Sequence, residues 1–175
     1  MTPALEKGLV HVYTGNGKGK TTASFGLAVR AIGHGIRVCI VQFMKGRKYG
    51  ELKAAKRLGI EIEQYGRDKF VNRNKPAEVD VKLAKKGWER AKEAISGGEY
   101  GLVILDEINV AMYFKLLDVS EVVKFIKSKP PHVELVLTGR YAPDEITAIA
   151  DYVTEMKEVK HPYQKGITSR KGVEW

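Results

Sequence analysis

The chain has 175 residues, of which 43% are hydrophobic and 29% charged, a composition typical of a soluble globular protein. Its formal net charge of +9 favours an anionic partner, such as a nucleotide, a nucleic acid or an acidic lipid surface. No apolar stretch approaches the length of a membrane span, and the N-terminal segment lacks the apolar core of a signal peptide. The single cysteine, Cys39, excludes an internal disulfide and any multi-cysteine metal site. We therefore expect one cytoplasmic domain, residues 1–175, with no membrane partner.

Short apolar runs alternate with helical patterns along the whole chain. Six runs predict strands, at residues 9–14, 37–43, 60–65, 101–107, 132–139 and 152–159. Apolar residues at helical spacing predict helices over 81–95 and 119–126, the second opened by Asp118 and Glu121 in a capping-box pattern. This alternation predicts an α/β fold in which a mostly parallel central sheet of about six strands lies between two layers of helices.

In such a sheet, ligands bind beyond the carboxyl ends of the strands. Four segments should therefore meet at one edge: residues 14–22, 42–46, 106–109 and 138–140.

The first predicted strand runs into the sequence TGNGKGKT, residues 14–21. This segment fits the phosphate-loop pattern G-x-x-x-x-G-K-[ST] at every position except the first, where Thr14 replaces glycine. A glycine-rich turn without a ligand would not need Lys-Thr directly after its last glycine. A dinucleotide fold is also disfavoured, because the second strand ends in Gln42 and not in an acid that could hold a ribose.

The residues of this loop suit a polyphosphate. Its glycines can turn successive N–H groups toward an anion, and the helix that begins near Gly19 adds the positive end of its dipole. Lys20 supplies a positive charge to the phosphates, the Thr21 hydroxyl can reach a magnesium ion, and Lys18 adds further charge.

A second feature of such sites is the apolar run GLVILDE, residues 101–107. It places Asp106 and Glu107 at the same edge of the sheet, where their carboxylates can bind magnesium directly or through water. Together with the loop, these acids predict a site for a nucleoside triphosphate.

Several segments resemble the ATP:corrinoid adenosyltransferases of the phosphate-loop family. They are VYTGNGKGKTTASFGLAVRAIGHG from Val12, VQFMKG from Val41, LVILDEIN from Leu102, VELVLTGRYAPDEI from Val133 and VTEMKEVKHPYQKG from Val153. Thr14 at the missing glycine is itself a feature of that family. The resemblance spans nearly the whole chain.

The resemblance implies that the reduced cobalt of cob(I)alamin attacks the 5′ carbon of ATP and releases the intact triphosphate. It implies Lys20, Thr21 and Glu107 as catalytic residues, and Mg²⁺ or Mn²⁺ held by Thr21 and Glu107 with Asp106 beside them. The residues implied to contact the nucleotide are Gly15, Asn16, Gly17, Lys18, Gly19, Lys20, Thr21, Thr22 and Asn109.

The resemblance also implies that the corrinoid lies over the same edge, with no protein ligand to cobalt. The chain contains no D-x-H-x-x-G motif, and we interpret its four histidines, His11, His34, His132 and His161, as structural or surface residues. Phe70 is a candidate to pack beneath the corrin ring, with an exposed aromatic in a hinge loop as the competing interpretation. We expect Arg140 to contact phosphate or corrin side chains, with pairing to an acid as the competing interpretation.

Two other function classes stay open at this point. Another phosphate-loop enzyme, a kinase or an ATPase, would release ADP. A basic nucleic-acid binder would show binding that falls steeply with salt, but no basic run is interleaved with aromatics, so we expect no nucleic-acid partner. A homodimer and a flavin-type reductase as electron donor are expectations from the resemblance.

Overall fold

The computed structural model describes residues 5–47 and 49–174, so the ends of the predicted domain, 1–4 and 175, lie outside the described residues. The strands are β1 (Val10–Thr14), β2 (Val38–Phe43), β3 (Glu61–Tyr65), β4 (Leu102–Asp106), β5 (Glu134–Thr138) and β6 (Tyr152–Glu155). The helices are α1 (Lys20–Gly33), α2 (Gly50–Leu58), α3 (Glu78–Ser96), α4 (Ile108–Tyr113), α5 (Val119–Lys127) and α6 (Asp144–Thr147). A short 3₁₀ helix spans Pro162–Lys165.

The six strands form one parallel sheet in the order β3-β2-β4-β5-β1-β6. Because every strand runs the same way, all six carboxyl ends lie along one edge. Strand β1, which leads into the glycine-rich loop, is held between β5 and β6 and pairs with both of them. The predicted sheet of about six strands is therefore confirmed, and it is wholly parallel.

Helices cover both faces of the sheet. Alternate residues of β2 show why: Val38 and Ile40 pack toward α1 and α2, whereas Cys39, Val41 and Phe43 pack toward α3, α4 and α5. The strands are apolar almost throughout because both of their faces are buried. The predicted three-layer α/β/α architecture is confirmed.

Helix α5 begins as its sequence predicts, since the Asp118 carboxylate accepts a hydrogen bond from the Glu121 N–H at 3.1 Å. The second hydrogen bond of a capping box, from the Asp118 N–H to the Glu121 side chain, is not formed. The Glu121 carboxylate instead accepts from the Trp88 indole N–H at 2.8 Å, which links α5 to α3. A buried indole donor needs an acceptor, and this contact supplies it.

The sixth strand is shorter than its predicted range, 152–159, and ends at Glu155. The Met156 N–H still donates to the Thr14 carbonyl at 2.8 Å, but the Met156 carbonyl turns to accept from Gly17 at 2.6 Å. At that point the chain leaves the sheet and crosses beside the glycine-rich loop. No helix in the described residues is both long enough and apolar enough to span a membrane.

Candidate nucleotide site

The glycines of the loop between β1 and α1 are required by its geometry. Gly15 and Gly19 have φ angles of 90° and 121°, values that side-chain-bearing residues rarely adopt. A Cβ atom at Gly15 or Gly17 would lie 2.5 or 2.6 Å from the Met156 carbonyl oxygen. The loop is therefore packed directly against the backbone that follows β6, and only glycine fits at these two positions.

Lys20, the first residue of α1, is buried inside this loop. Its ammonium donates hydrogen bonds to the carbonyl oxygens of Gly15 and Gly17, both at 2.8 Å. Burial lowers the pKa of Lys20, and the carboxylate of Glu107 partly opposes that shift. Since an ammonium has three donors, one remains for a phosphate oxygen.

The fully buried carboxylate of Asp106 joins four segments at the sheet edge. One oxygen accepts hydrogen bonds from the hydroxyls of Thr21 at 2.9 Å and Thr138 at 2.7 Å. The other accepts from the Gln42 amide at 2.9 Å and the Lys45 ammonium at 2.7 Å. The predicted meeting of the four strand-end segments is thus confirmed, and Asp106 is the residue at which they meet.

The charges around Asp106 are balanced by Lys45. Burial acts to raise the pKa of Asp106, but the charge and hydrogen bond of Lys45 outweigh it and hold that pKa below its usual range. Burial likewise acts to lower the pKa of Lys45, and Asp106 reverses the direction and raises it. The two groups form a buried, hydrogen-bonded ion pair, so removing one partner would leave the other charge uncompensated.

Glu107 differs from its neighbour in conformation and in charge. It lies in the left-handed region with φ 63°, an uncommon conformation for a residue with a side chain and one that often marks a functional site. Its N–H donates to the Thr138 hydroxyl at 3.0 Å, whereas its carboxylate faces the cavity beside the loop. Burial and the nearby charge of Asp106 raise the pKa of Glu107.

The oxygen atoms around Thr21 are of the type that binds a magnesium ion. Two adjacent carboxylates and a hydroxyl are hard oxygen donors of the kind that Mg²⁺ prefers, and the pKa of Glu107 is raised by burial and by the charge of Asp106. All four acceptor positions of Asp106 are already engaged, which favours contact through water for that residue. The described residues contain no cluster of three or more His, Cys, Asp or Glu side chains that could hold a metal, so phosphate and water would supply the remaining ligands.

A cavity of about 400 Å³, which we call the phosphate cavity, lies directly beyond the loop. It is lined by Asn16, Gly17, Lys18, Gly19, Lys20, Thr21, Thr22, Glu107, Arg140, His161, Val173 and Glu174. Arg140 donates to the Asn16 carbonyl at 3.4 Å and forms no ion pair with an acid elsewhere in 5–47 or 49–174. Three cationic side chains and the N-terminus of α1 therefore face one cavity, an arrangement suited to a polyphosphate.

Of the residues predicted for the site, four do not line the phosphate cavity: Gly15, Asp106, Asn109 and Phe70. Asn109 is fully buried; its amide donates to the Gly139 carbonyl at 3.3 Å, and its oxygen has no hydrogen-bond partner among the described residues. Phe70 is 98% exposed and lines a separate cavity of about 890 Å³, the Phe70 cavity, together with Arg47, Tyr49 and Glu174.

A third cavity, the aromatic cavity, lies against the phosphate cavity and has a volume of about 440 Å³. Half-buried Phe25 and Tyr49 line it, and it shares four residues with the phosphate cavity, namely Thr21, Thr22, Val173 and Glu174. A larger cavity of about 920 Å³ lies on the opposite face of the sheet between α3 and α5. This cavity is lined by neither the glycine-rich loop nor the acids after β4. We therefore place the nucleotide site at the carboxyl edge of the sheet, where those groups lie.

The sequence analysis missed several residues of this site. Lys45 lies in the segment VQFMKG, but nothing in its spacing indicated the ion pair with Asp106. The interpretation of His161 as a structural or surface residue is incomplete, because this side chain lines the phosphate cavity. Its Nδ1 accepts from the Tyr163 N–H at 3.2 Å, which assigns the proton to Nε2. Val173 and Glu174 belong to no pattern with a recognised mechanism.

Comparison with known proteins agrees with this geometry. A model of the ATP:corrinoid adenosyltransferase family BtuR/CobO/CobP matches residues 6–175. A corrinoid adenosyltransferase of Sinorhizobium sp. is 42% identical over 174 residues, which cover 97% of this chain and 81% of that protein. The corresponding enzyme of Pseudomonas aeruginosa is 37% identical over 172 residues, 97% of this chain and 85% of its own. Corrinoid adenosyltransferase CobA of Salmonella typhimurium is 34% identical over 171 residues, 97% of this chain and 87% of its own.

Proposed function

Because this chain belongs to the ATP:corrinoid adenosyltransferase family, we propose that its carboxyl-edge site transfers the 5′-deoxyadenosyl group of ATP to the reduced cobalt of a corrinoid. The observation that carries the proposal is the phosphate cavity itself, where the glycine-rich loop, Lys20 and the acids after β4 meet. The product is an adenosylated corrinoid, as needed in cobalamin biosynthesis.

The reaction makes a cobalt–carbon bond and breaks the bond between the 5′ carbon and its phosphate oxygen. The cobalt supplies the electron pair of the new bond, and the electrons of the broken bond leave with the triphosphate. Negative charge therefore develops on the triphosphate in the transition state. Fixed donors stabilise such charge most when they are already in position, and we assign this role to Lys18, Lys20 and the loop backbone. The nucleophile carries no proton, so no general base is required.

Thr21 and Glu107 are the residues that would hold a magnesium or manganese ion, with Asp106 orienting Thr21 through its hydrogen bond at 2.9 Å. A divalent ion there would neutralise part of the charge on the triphosphate. The raised pKa of Glu107 supports this assignment, because a half-buried carboxylate with no ion-pair partner among the described residues gains from a nearby cation.

The Phe70 cavity is our proposed place for the corrinoid. It borders the aromatic cavity at Tyr49 and the phosphate cavity at Glu174. An aromatic side chain that is 98% exposed gains apolar contact when a flat ring covers it. This supports Phe70 as a residue that packs on the corrin.

Anaerobic incubation with ATP, magnesium and chemically reduced cobalamin tests the proposed function. We expect the absorption spectrum of adenosylcobalamin to appear together with one equivalent of inorganic triphosphate. Release of ADP, or nucleotide turnover that ignores the corrinoid, would contradict the proposal and point to another phosphate-loop enzyme.

Three further proposals rest on the family resemblance or, for the location, on the composition and the N-terminal segment. They are a homodimer, a cytoplasmic location, and a flavin-type reductase that supplies electrons for cobalt. Sedimentation of the purified protein tests the first, and cell fractionation tests the second. For the third, a reduced flavoprotein should replace the chemical reductant in the assay above.

A further inference from the structure

A cavity of about 520 Å³, which we call the amino-edge cavity, lies where the strands of the sheet begin. Two of its lining residues, Leu102 and Glu134, are the first residues of β4 and β5. The C-terminal half of α1, the turn after it and the segment that leads into β1 form its other walls. It shares no lining residue with the phosphate, aromatic or Phe70 cavities, so it is separate from the nucleotide site at the carboxyl edge.

The interior of the amino-edge cavity is apolar. Its hydrophobic lining residues are Leu5, Leu9, Leu27, Ala31, Ile36 and Leu102. Ala31 and Leu102 belong to the buried core between α1 and the sheet, and Leu27 and Ile36 pack against that core. A hydrocarbon chain in this space would leave water, and each CH₂ group that it buries strengthens binding about fourfold.

Two cationic side chains lie on the solvent side of this cavity. Lys7 and Arg30 line it and are exposed, and neither forms an ion pair with a side chain in 5–47 or 49–174. Exposed His34 is a third polar residue of the lining. An anionic group at the mouth of the cavity would therefore accept charge-assisted hydrogen bonds from cations that have no other acidic partner in the described part of the chain.

The acidic lining residue Glu134 already has partners for both of its oxygens. One oxygen pairs with His11 Nε2, and the other accepts from the Leu9 N–H at 2.7 Å. Burial acts to raise the pKa of Glu134, but the hydrogen bonds from His11 and Leu9 and the charge of nearby Lys129 hold that pKa below its usual value. Because these groups balance its charge, Glu134 opposes an anion in the cavity less than a free carboxylate would.

We propose that the amino-edge cavity is a second ligand site, which binds an amphipathic anion of the medium-chain carboxylate class. The hydrocarbon chain lies against Leu27 and Leu102, and the carboxylate lies at the mouth beside Lys7 and Arg30. Two independent features carry this assignment: an apolar space at the edge of the core, and unpaired positive charge at its opening. The site is distinct from the one proposed for adenosyl transfer.

Charge argues against a second copy of this chain as the occupant. In an isologous interface the same face of both subunits meets, so Lys7 and Arg30 would approach the same two side chains of the other copy. Like charges repel at such distances, whereas a carboxylate is attracted.

Titration calorimetry of the full chain with decanoate, 1-decanol and butyrate tests the proposal. We expect one decanoate to bind per chain, about tenfold more tightly than 1-decanol, the value of a charge-assisted hydrogen bond. Butyrate keeps the carboxylate but lacks six CH₂ groups, so it should bind more than about 10²-fold more weakly than decanoate.

Two matched arginine variants locate the carboxylate. Arg30→Gln should weaken decanoate binding about tenfold and leave 1-decanol binding unchanged. Arg57→Gln is the control, because Arg57 is also an exposed arginine in the last turn of its helix, α2, and does not line the cavity. Leu27→Asp places a charge in the apolar wall and should weaken both ligands about tenfold or more; its melting curve shows whether it folds, and if it does not, the arginine variants decide.

The inference would be overturned if decanoate bound no more tightly than 1-decanol or butyrate, or did not bind below its micelle concentration. Equal loss of affinity in Arg30→Gln and Arg57→Gln would also overturn it. Competition by saturating inorganic triphosphate would do the same, because the anion would then lie in the phosphate cavity. Since neither nucleotide nor corrinoid is needed for these measurements, a failure of adenosyl transfer would leave this result intact.

Discussion

The phosphate loop and the segment that follows β6 line the same cavity but are held in place very differently. The loop is packed against backbone on one side and sealed by the buried Lys20 on the other. The segment after Glu155 is largely exposed, and its contacts are mostly local, such as the one between Arg170 and Glu174. The contrast teaches that strong phosphate binding comes from the rigid part of the site. The rest of the cavity wall belongs to the part that we expect to open most easily.

The largest expected effect tests the rigid side. Lys20→Ala removes the buried ammonium, so we expect kcat/KM to fall by about 10³-fold or more. The melting temperature should stay within about 3 °C of the wild type, because the substitution also removes the cost of burying that charge. Steady-state kinetics and calorimetry check both values. Near-normal turnover would contradict the assignment of the site.

The second prediction breaks the contact between the two regions. Gly17→Ala places a methyl group against the Met156 carbonyl, where a Cβ would lie at 2.6 Å. We expect kcat to fall by about 10²-fold and stability to fall by about 1–3 kcal/mol.

Gly26→Ala is the matched control for that change. A Cβ at Gly26 meets nothing within 4 Å, and alanine favours a helix interior. It should leave kcat unchanged and raise the melting temperature slightly. Equal damage from both substitutions would show that the close approach at Gly17 is unimportant.

The third prediction separates function from stability. Glu107→Gln should lower kcat/KM by about 10- to 100-fold through weaker metal binding. It should also raise the melting temperature of the nucleotide-free protein by about 2 °C at pH 7, because burial disfavours the charged form of Glu107.

The pH dependence of this gain in melting temperature follows from the direction of the pKa shift of Glu107. The folded pKa of Glu107 is raised above its ordinary value of 4.5, so the stability cost of ionisation begins at that ordinary value and is complete once the pH has risen through the folded pKa. The two proteins should therefore melt alike below pH 4.5 and diverge above it. Calorimetric melting curves at several pH values check this, and a constant difference would contradict it.

The smallest expected effect lies in the exposed region. His161→Ala removes one Nε2 donor from the wall of the phosphate cavity, so we expect KM for ATP to rise about fivefold with kcat nearly unchanged. His132→Ala is a suitable control, since His132 does not line the phosphate, aromatic or Phe70 cavity. An equal change in both variants would indicate a general effect on folding.

The sequence predicted the fold and the loop well because both depend on local patterns. Apolar runs with both faces buried identify parallel strands, and the lysine, threonine and glycines of the loop stand at fixed spacing. The direction of the strands then placed Asp106 and Glu107 beside the loop. None of these predictions required knowing how distant side chains would pair.

The residues that were missed depend on long-range contacts. Lys45 is 61 residues from Asp106 in the chain, and Val173 is 155 residues from Lys18. Hydrophobic periodicity identifies local helices and strands, so it cannot predict contacts between residues this far apart in the chain. The predicted end of β6 was too late for the same reason. The strand ends where the Met156 carbonyl turns toward Gly17, and no turn-forming residue in the sequence marks that point.

The position of β1 between β5 and β6 has a consequence for how the protein is made. The strand that leads into the loop is synthesised long before its partners, residues 135–138 and 152–155. Closing a loop of that length is costly in entropy until both neighbours exist. A growing chain on the ribosome therefore carries the loop sequence long before it can bind ATP, and nucleotide affinity arises only after residues 152–155 have been made.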